Sequence, residues 1–157
     1  MKKLNILLVL GLALLLMSCA TVKPSEVKGA TKVVEVPGAS KDEIFVRASS
    51  WMAETFNSSK SVTQYSDKEA GIIKGKYVID FPQLTAQGLC DATITIECKD
   101  EKCRLIIDDP YDFRVRDAYS TSIVNMTQKG FDTVVENISF LCESFEKYVK
   151  EKQDTSW

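Results

Sequence analysis

Residues 92–109, ATITIECKDEKCRLIIDD, constrain the fold more than any other stretch of this chain. Ala92, Ile94, Ile96 and Cys98 alternate with Thr93, Thr95 and Glu97, the two-residue period of a strand with one buried face. Lys99-Asp100-Glu101-Lys102 reads as a four-residue turn, after which Cys103, Leu105 and Ile107 resume the apolar phase. Antiparallel pairing across that turn sets Cys98 opposite Cys103, Ile96 opposite Leu105 and Ile94 opposite Ile107. One face is apolar and the other polar, which predicts an antiparallel sheet covered on one side only.

Two helices supply the cover. Ser40-Lys41-Asp42-Glu43 is a capping box, in which the serine hydroxyl accepts from the Glu43 amide and the Glu43 carboxylate reaches back to the Ser40 amide. The helix it opens carries Ile44, Phe45, Ala48, Trp51, Met52 and Phe56 on one stripe, and Asn57-Ser58-Ser59 ends it. A longer helix is predicted from about Lys129 to Lys150, with Phe131, Val134, Val135, Ile138, Leu141, Cys142, Phe145, Tyr148 and Val149 at helical spacing. A strand near Thr31–Val36, broken by Pro37-Gly38, precedes the first helix, and alternating segments near 62–66 and 71–81 follow it. Residues 110–128, with Pro110 and scattered charges, read as a loop or an edge strand. The order is therefore β-α-β4-α: an α+β domain of two layers, an antiparallel sheet with two helices on one face.

The stretches VVEVPGASKDEIFVRASSWMAETF, SVTQYSDKEAGIIKGKYVI and ATITIECKDEKCRLIIDD resemble the bacterial "domain of unknown function 4468" family, over roughly residues 30–109. The resemblance implies the TBP-like fold, which has that same element order. It implies no activity, and a fold does not supply one.

The N-terminus addresses the chain. Lys2 and Lys3 precede an apolar run from Ile6 to Met17, shorter than the about 20 residues a membrane span needs, and the run ends at Ser18-Cys19. That is the layout of an export signal. Leu16, Ser18 and Cys19 resemble a bacterial lipobox, which implies cleavage after residue 18 and a diacylglycerol on the Cys19 thiol. Ala20, where an aspartate would resemble an inner-membrane retention signal, implies an outer-membrane lipoprotein facing the periplasm. The expected organisation is a signal peptide at 1–18, a lipidated start and flexible tether at 19–30, a domain at 31–150 and a frayed tail at 151–157. Residues 20–30 show no apolar period; fully stretched they would reach about 35 Å.

Loss of Lys2 and Lys3 leaves 18 basic against 22 acidic residues, a net charge near −4 without a basic cluster. Nucleic acid, whose phosphates demand a positive surface, is therefore not an expected partner. The chain holds no histidine, which removes Ser-His-Asp triads, Cys-His pairs, HExxH zinc sites and any imidazole base. It has no nucleotide-binding glycine loop either, and neither a cofactor nor a metal is expected.

Three groups of residues remain as candidates. Cys90, Cys98, Cys103 and Cys142 suit disulfides in an oxidising compartment, Cys98 with Cys103 across the turn and Cys90 with Cys142; the alternative is four small buried hydrophobes. A zinc site built from the four thiols lacks the paired C-x2-C knuckles such sites use. Asp108-Asp109-Pro110-Tyr111-Asp112 is the densest acidic cluster, open to acid/base work, to calcium (though without the central glycine and terminal glutamate of an EF-hand loop) or to a solvated turn. Lys74, Lys76, Thr93, Thr95, Glu97, Arg104 and Asp108 fall on the polar sheet face, either solvating it by cross-strand pairing or docking a protein or peptide, with Tyr65, Tyr77 and Ile106 as apolar company; the alternation leaves the phase of the strands at 62–66 and 71–81 open, so either tyrosine could face the core instead. The expected function is a non-enzymatic binding module of the cell envelope. The alternatives are a small-ligand binder with a pocket between sheet and helices, and a hydrolase using the carboxylates of Asp108–Asp112.

Overall fold

In the computed structural model, residues 21–56, 61–84, 86–116 and 122–151 are described. The expected leader, Cys19, the helix stop at 57–59 and the tail beyond 151 lie outside them. The elements are β1 (Thr21–Val22), β2 (Ala30–Glu35), α1 (Lys41–Thr55), β3 (Ser61–Asp67), β4 (Ile72–Gln83), β5 (Ala86–Lys99), β6 (Lys102–Ile107), β7 (Tyr111–Val115), β8 (Met126–Thr127) and α2 (Gln128–Lys150). Strands run β2-β6-β5-β4-β3, with β7 beside β5, and all pairs in this sheet are antiparallel.

The hairpin register is as its alternation requires: Cys98 pairs with Cys103, Ile96 with Leu105 and Ile94 with Ile107. Its turn is tighter than four residues, because Lys99 pairs with Lys102 and only Asp100 and Glu101 remain in the loop. Glu101 takes the left-handed backbone that so short a loop demands, with φ 62°. The turn then docks the first helix. The Glu101 carbonyl accepts from the Val36 amide at 2.7 Å. The Asp100 carboxylate accepts from the Lys41 amide at 2.8 Å, where a helix N-terminus favours negative charge. The capping box of α1 is formed, Ser40 amide to Glu43 carboxylate at 2.8 Å.

Both helices press on the same side of the sheet. Ile44, Phe45, Ala48, Trp51 and Met52 of α1 are buried, as are Val134, Ile138, Leu141, Phe145 and Val149 of α2, whereas Val135 turns outward. Trp51 meets Phe145 edge-on at 5.0 Å and donates its indole N–H to Ser144 Oγ at 2.9 Å. Lys32, on the helix side of edge strand β2, pairs with Glu146 of α2. Glu146 also accepts from Lys150, and these two hydrogen bonds hold its carboxyl at about 2.

Two further expectations change. The β4–β5 hairpin is longer than the alternation showed, pairing without a break from Ile72 with Glu97 to Gln83 with Ala86. Pro82 and Gly88 hide it in the sequence. Gly88 is required because the Phe81 ring lies over it: a Cβ there would come within 2.3 Å of the ring. Residues 21–30, expected as a free tether, are packed instead. β1 pairs with β8, Val27 is 1% exposed, and the Gly29 amide donates to the Asp109 carboxylate at 2.8 Å. The segment has no periodicity because it follows the domain surface as a strap, with one buried side chain.

Gly88→Ala is expected to cost about 1–3 kcal/mol, the range for overpacking a filled core, read by urea denaturation. A depressed carboxyl stabilises above its unfolded value and loses that stabilisation as pH falls to the folded one. Stability is therefore expected to fall between pH 4.5 and about 2, less steeply in Glu146→Gln; equal slopes would remove the ion pair from the account.

Candidate binding face

The helices leave the other side of the sheet uncovered. Lys74, Lys76, Thr93, Thr95, Glu97 and Arg104 all lie on it, as the alternation requires: Lys74 pairs with Thr95, Lys76 with Thr93 and Glu97 with Arg104. Asp108 lies just past β6 and is exposed; its amide donates to the Thr93 carbonyl at 3.0 Å. Tyr65 and Ile106 share this face, opposite Lys74 and Thr95 respectively. Tyr77 does not: it packs against Phe56 on the helix side, ring centroids 4.9 Å apart. Cross-strand pairing does solvate part of the face, since Arg104 donates through Nε to the Glu97 carboxylate at 3.1 Å. Beside that pair lies a shallow hollow of about 280 Å³, lined by Val33, Glu35, Glu97, Lys99, Lys102 and Arg104, with Val33 55% exposed.

One residue of the face is not legible as a site from the sequence. Asp91 is 2% exposed and paired on both sides, with Lys76 Nζ at 2.7 Å and Arg114 Nη2 at 2.9 Å. Arg114 reaches Asp112 as well, at 2.8 Å. The Lys76 ammonium stands 5.5 Å from the centre of the Tyr111 ring, and its hydrogen bond to Asp91 raises its pKa. Next to this cluster Arg116 pairs with Asp80. The cluster depends on β7, which pairs with β5 over Gly88–Asp91 and which lies in the stretch that reads as loop or edge strand. The available signal is Asp91 itself, a carboxylate in the apolar run Leu89-Cys90-Asp91-Ala92, where a buried charge needs partners.

The carboxylates of the acidic cluster turn to separate partners. Asp109 accepts from the Gly29 amide and from Lys28, which lower its pKa, and Asp112 serves Arg114. Among the described residues no three His, Cys, Asp or Glu side chains gather as metal ligands.

The four cysteines are free thiols in the structure. Cys98 and Cys103 are direct cross-strand neighbours, and the Cys98 amide donates away from Cys103, to the Gly71 carbonyl at 2.7 Å. They are thus a non-hydrogen-bonded pair, whose α-carbons sit about 4.5 Å apart, within reach of a disulfide. The expected Cys90–Cys142 bridge is not supported by the geometry. Cys90 pairs with Ile79, near the Phe81–Pro82 end of the sheet against which Gly130 packs. Cys142 lies twelve residues beyond Gly130, about 18 Å along the helix. Burial pushes the Cys90, Cys98 and Cys103 thiols up to about 12, and that of half-buried Cys142 upward as well.

An antiparallel sheet with both helices on one face, and the other face open, places the molecule among TBP-like α+β domains. The chain belongs to the family described as "Domain of unknown function (DUF4468) with TBP-like fold", which matches residues 31–111. A DUF4468 family protein from Bacteroides ovatus has a similar solved structure, at TM-score 0.57 and 18% identity, covering 90% of this chain and 95% of that one. A TBP-like protein from Parabacteroides distasonis aligns at TM-score 0.52 and 15% identity, covering 76% of this chain and 92% of that one. At such identities the likeness is one of fold. No curated protein matches the chain.

Oxidised glutathione is expected to close Cys98–Cys103 slowly, because thiols at about 12 hold little thiolate, and before any bridge to Cys90 or Cys142. Peptide mapping after alkylation reads the order; a Cys90–Cys142 bridge appearing first would contradict the register.

Proposed function

We propose that this protein is a non-enzymatic binding module of the bacterial cell envelope, held by lipid on Cys19 to the outer membrane and facing the periplasm. The observation that carries the binding role is the uncovered sheet face. Part of its charge is matched within the sheet, Glu97 with Arg104 and Asp91 with Lys76 and Arg114, while Val33, Tyr65 and Tyr111 stand 55%, 48% and 43% exposed among them. Paired charges with exposed apolar side chains between them suit a protein or peptide surface. The export signal and lipobox resemblance support the anchor. Among the described residues no helix is long and apolar enough to cross a membrane. A small-ligand pocket between sheet and helices finds less support. A crevice under α1, lined by Met52, Phe56, Tyr77 and Ile94 among others, measures about 60 Å³, against roughly 300–1,000 Å³ for ligand sites. The larger hollow where β2, α1 and α2 meet, about 530 Å³, is lined by the charged Glu35, Glu43, Arg47 and Lys150 beside the Val36–Ala39 loop, whereas such sites are mostly apolar.

The test places a photo-crosslinking residue at Val33 or Tyr65, with Val46 on the helix layer as control, in the full chain in native membranes. One shared adduct from positions 33 and 65, absent at 46, is expected. Adducts at 46 alone, or at none of the three, would overturn the reading.

A further inference from the structure

The strap formed by residues 21–30 brings the start of the domain close to Cys19. Thr21 pairs with Thr127 and Val22 with Met126, so the chain is fixed from the second residue after Cys19 onward. Two residues span about 7 Å at most. A lipid on Cys19 therefore has no long tether, and it would hold the β1–β8 corner of the domain against the headgroups.

That corner carries Leu84 and Val124, each 77% exposed, the highest values among the large hydrophobic side chains of the described residues. Leu84 follows β4 at its turn into β5, and Val124 precedes β8. One side chain fastens the two loops together. Gln83 donates to the Asn125 carbonyl at 2.8 Å and accepts from the Thr127 amide at 2.9 Å, so Leu84 and Val124 are presented beside the strand that holds Thr21. Thr127, the N-cap of α2, donates its hydroxyl to the Pro82 carbonyl at 3.2 Å and seats the start of α2 against the same turn. Scattered exposed hydrophobics need no explanation. Two of them, fastened together beside a short lipid attachment, form an apolar contact for the outer edge of a bilayer, where such side chains bury at the boundary of headgroups and acyl chains.

We infer that this corner rests on the lipid surface, with Leu84 and Val124 seated at the headgroup–acyl boundary. The inference rests on the reading that Cys19 is acylated, and the test separates the two. Full-length lipidated protein carrying Leu84→Trp, Val124→Trp or Lys99→Trp is placed in phosphatidylethanolamine–phosphatidylglycerol vesicles with brominated acyl chains. Lys99 flanks the β5–β6 turn, about 40 Å along β5 from the Leu84 end, and serves as control. Emission is compared with that of the unsubstituted protein, and intact mass reports the acyl group. Tryptophan at 84 and 124 is expected to lose roughly half of its emission or more to the bromines, and tryptophan at 99 to lose none. An acylated protein quenched no more at 84 and 124 than at 99 overturns the inference and leaves the anchor standing. Absence of the acyl mass from Cys19 overturns both.

Discussion

Strand β5 is the element on which the rest of the structure depends. β4 pairs with it along one edge, and β6 and β7 share the other. Its helix-facing side chains, Cys90, Ala92, Ile94, Ile96 and Cys98, are all 2% exposed or less. Size is complementary across the β4–β5 pair. Where β5 is small, at Gly88, Cys90 and Ala92, β4 places Phe81, Ile79 and Tyr77 opposite; where β4 falls to Gly75, β5 places Ile94. Interiors are packed near crystal density, so a shift of register would set large against large and leave voids elsewhere.

The same strand explains the polar cluster on the open face. Asp91 sits between two core residues and must point away from the helices, toward what would otherwise be water. β7 and its Arg114 cover it, and a covered carboxylate is tolerable only when paired. Asp91 and β7 therefore need one another: the strand buries the charge, and Arg114 fixes where the strand docks. Lys76 completes the neutralisation from β4 and is steered by the Tyr111 ring.

What the sequence reveals follows from how each element is stabilised. The β5–β6 register, the capping box and the stripe on α2 are legible because each is a local pattern with a single burying face. Val135 is misplaced by the breadth of the stripe, which runs past the buried sector. The outer part of the β4–β5 hairpin is hidden because Gly88 and Pro82 read as breakers, whereas the glycine is there to admit the Phe81 ring. Strand β7 and the strap at 21–30 are hidden for another reason. They are held by scattered long-range contacts, the β5 pairing and Arg114 to Asp91 for one, the β8 pairing, Val27 and Gly29 to Asp109 for the other, which leave no period along the chain. Of the open face, the residues on β4, β5 and β6 are readable from alternation, and the buried charge at its end is not.

The direction of β5 connects the two proposed surfaces. Its Ala86 end adjoins Leu84, and its Lys99 end lies about 40 Å away at the turn that docks α1. If the Leu84–Val124 corner rests on lipid, β4 and β5 run away from the membrane and the open sheet face stands upright on it. The hollow beside Val33 then lies at the far end, since Lys99 and Lys102 line it. The proposed anchor and binding face would then occupy different ends of the same strands and not compete for surface. A flexible tether would leave the face free to tumble. A strap fixed two residues from a lipid on Cys19 would make its orientation a property of the fold, set by the β1–β8 pairing and the Gln83 bridge.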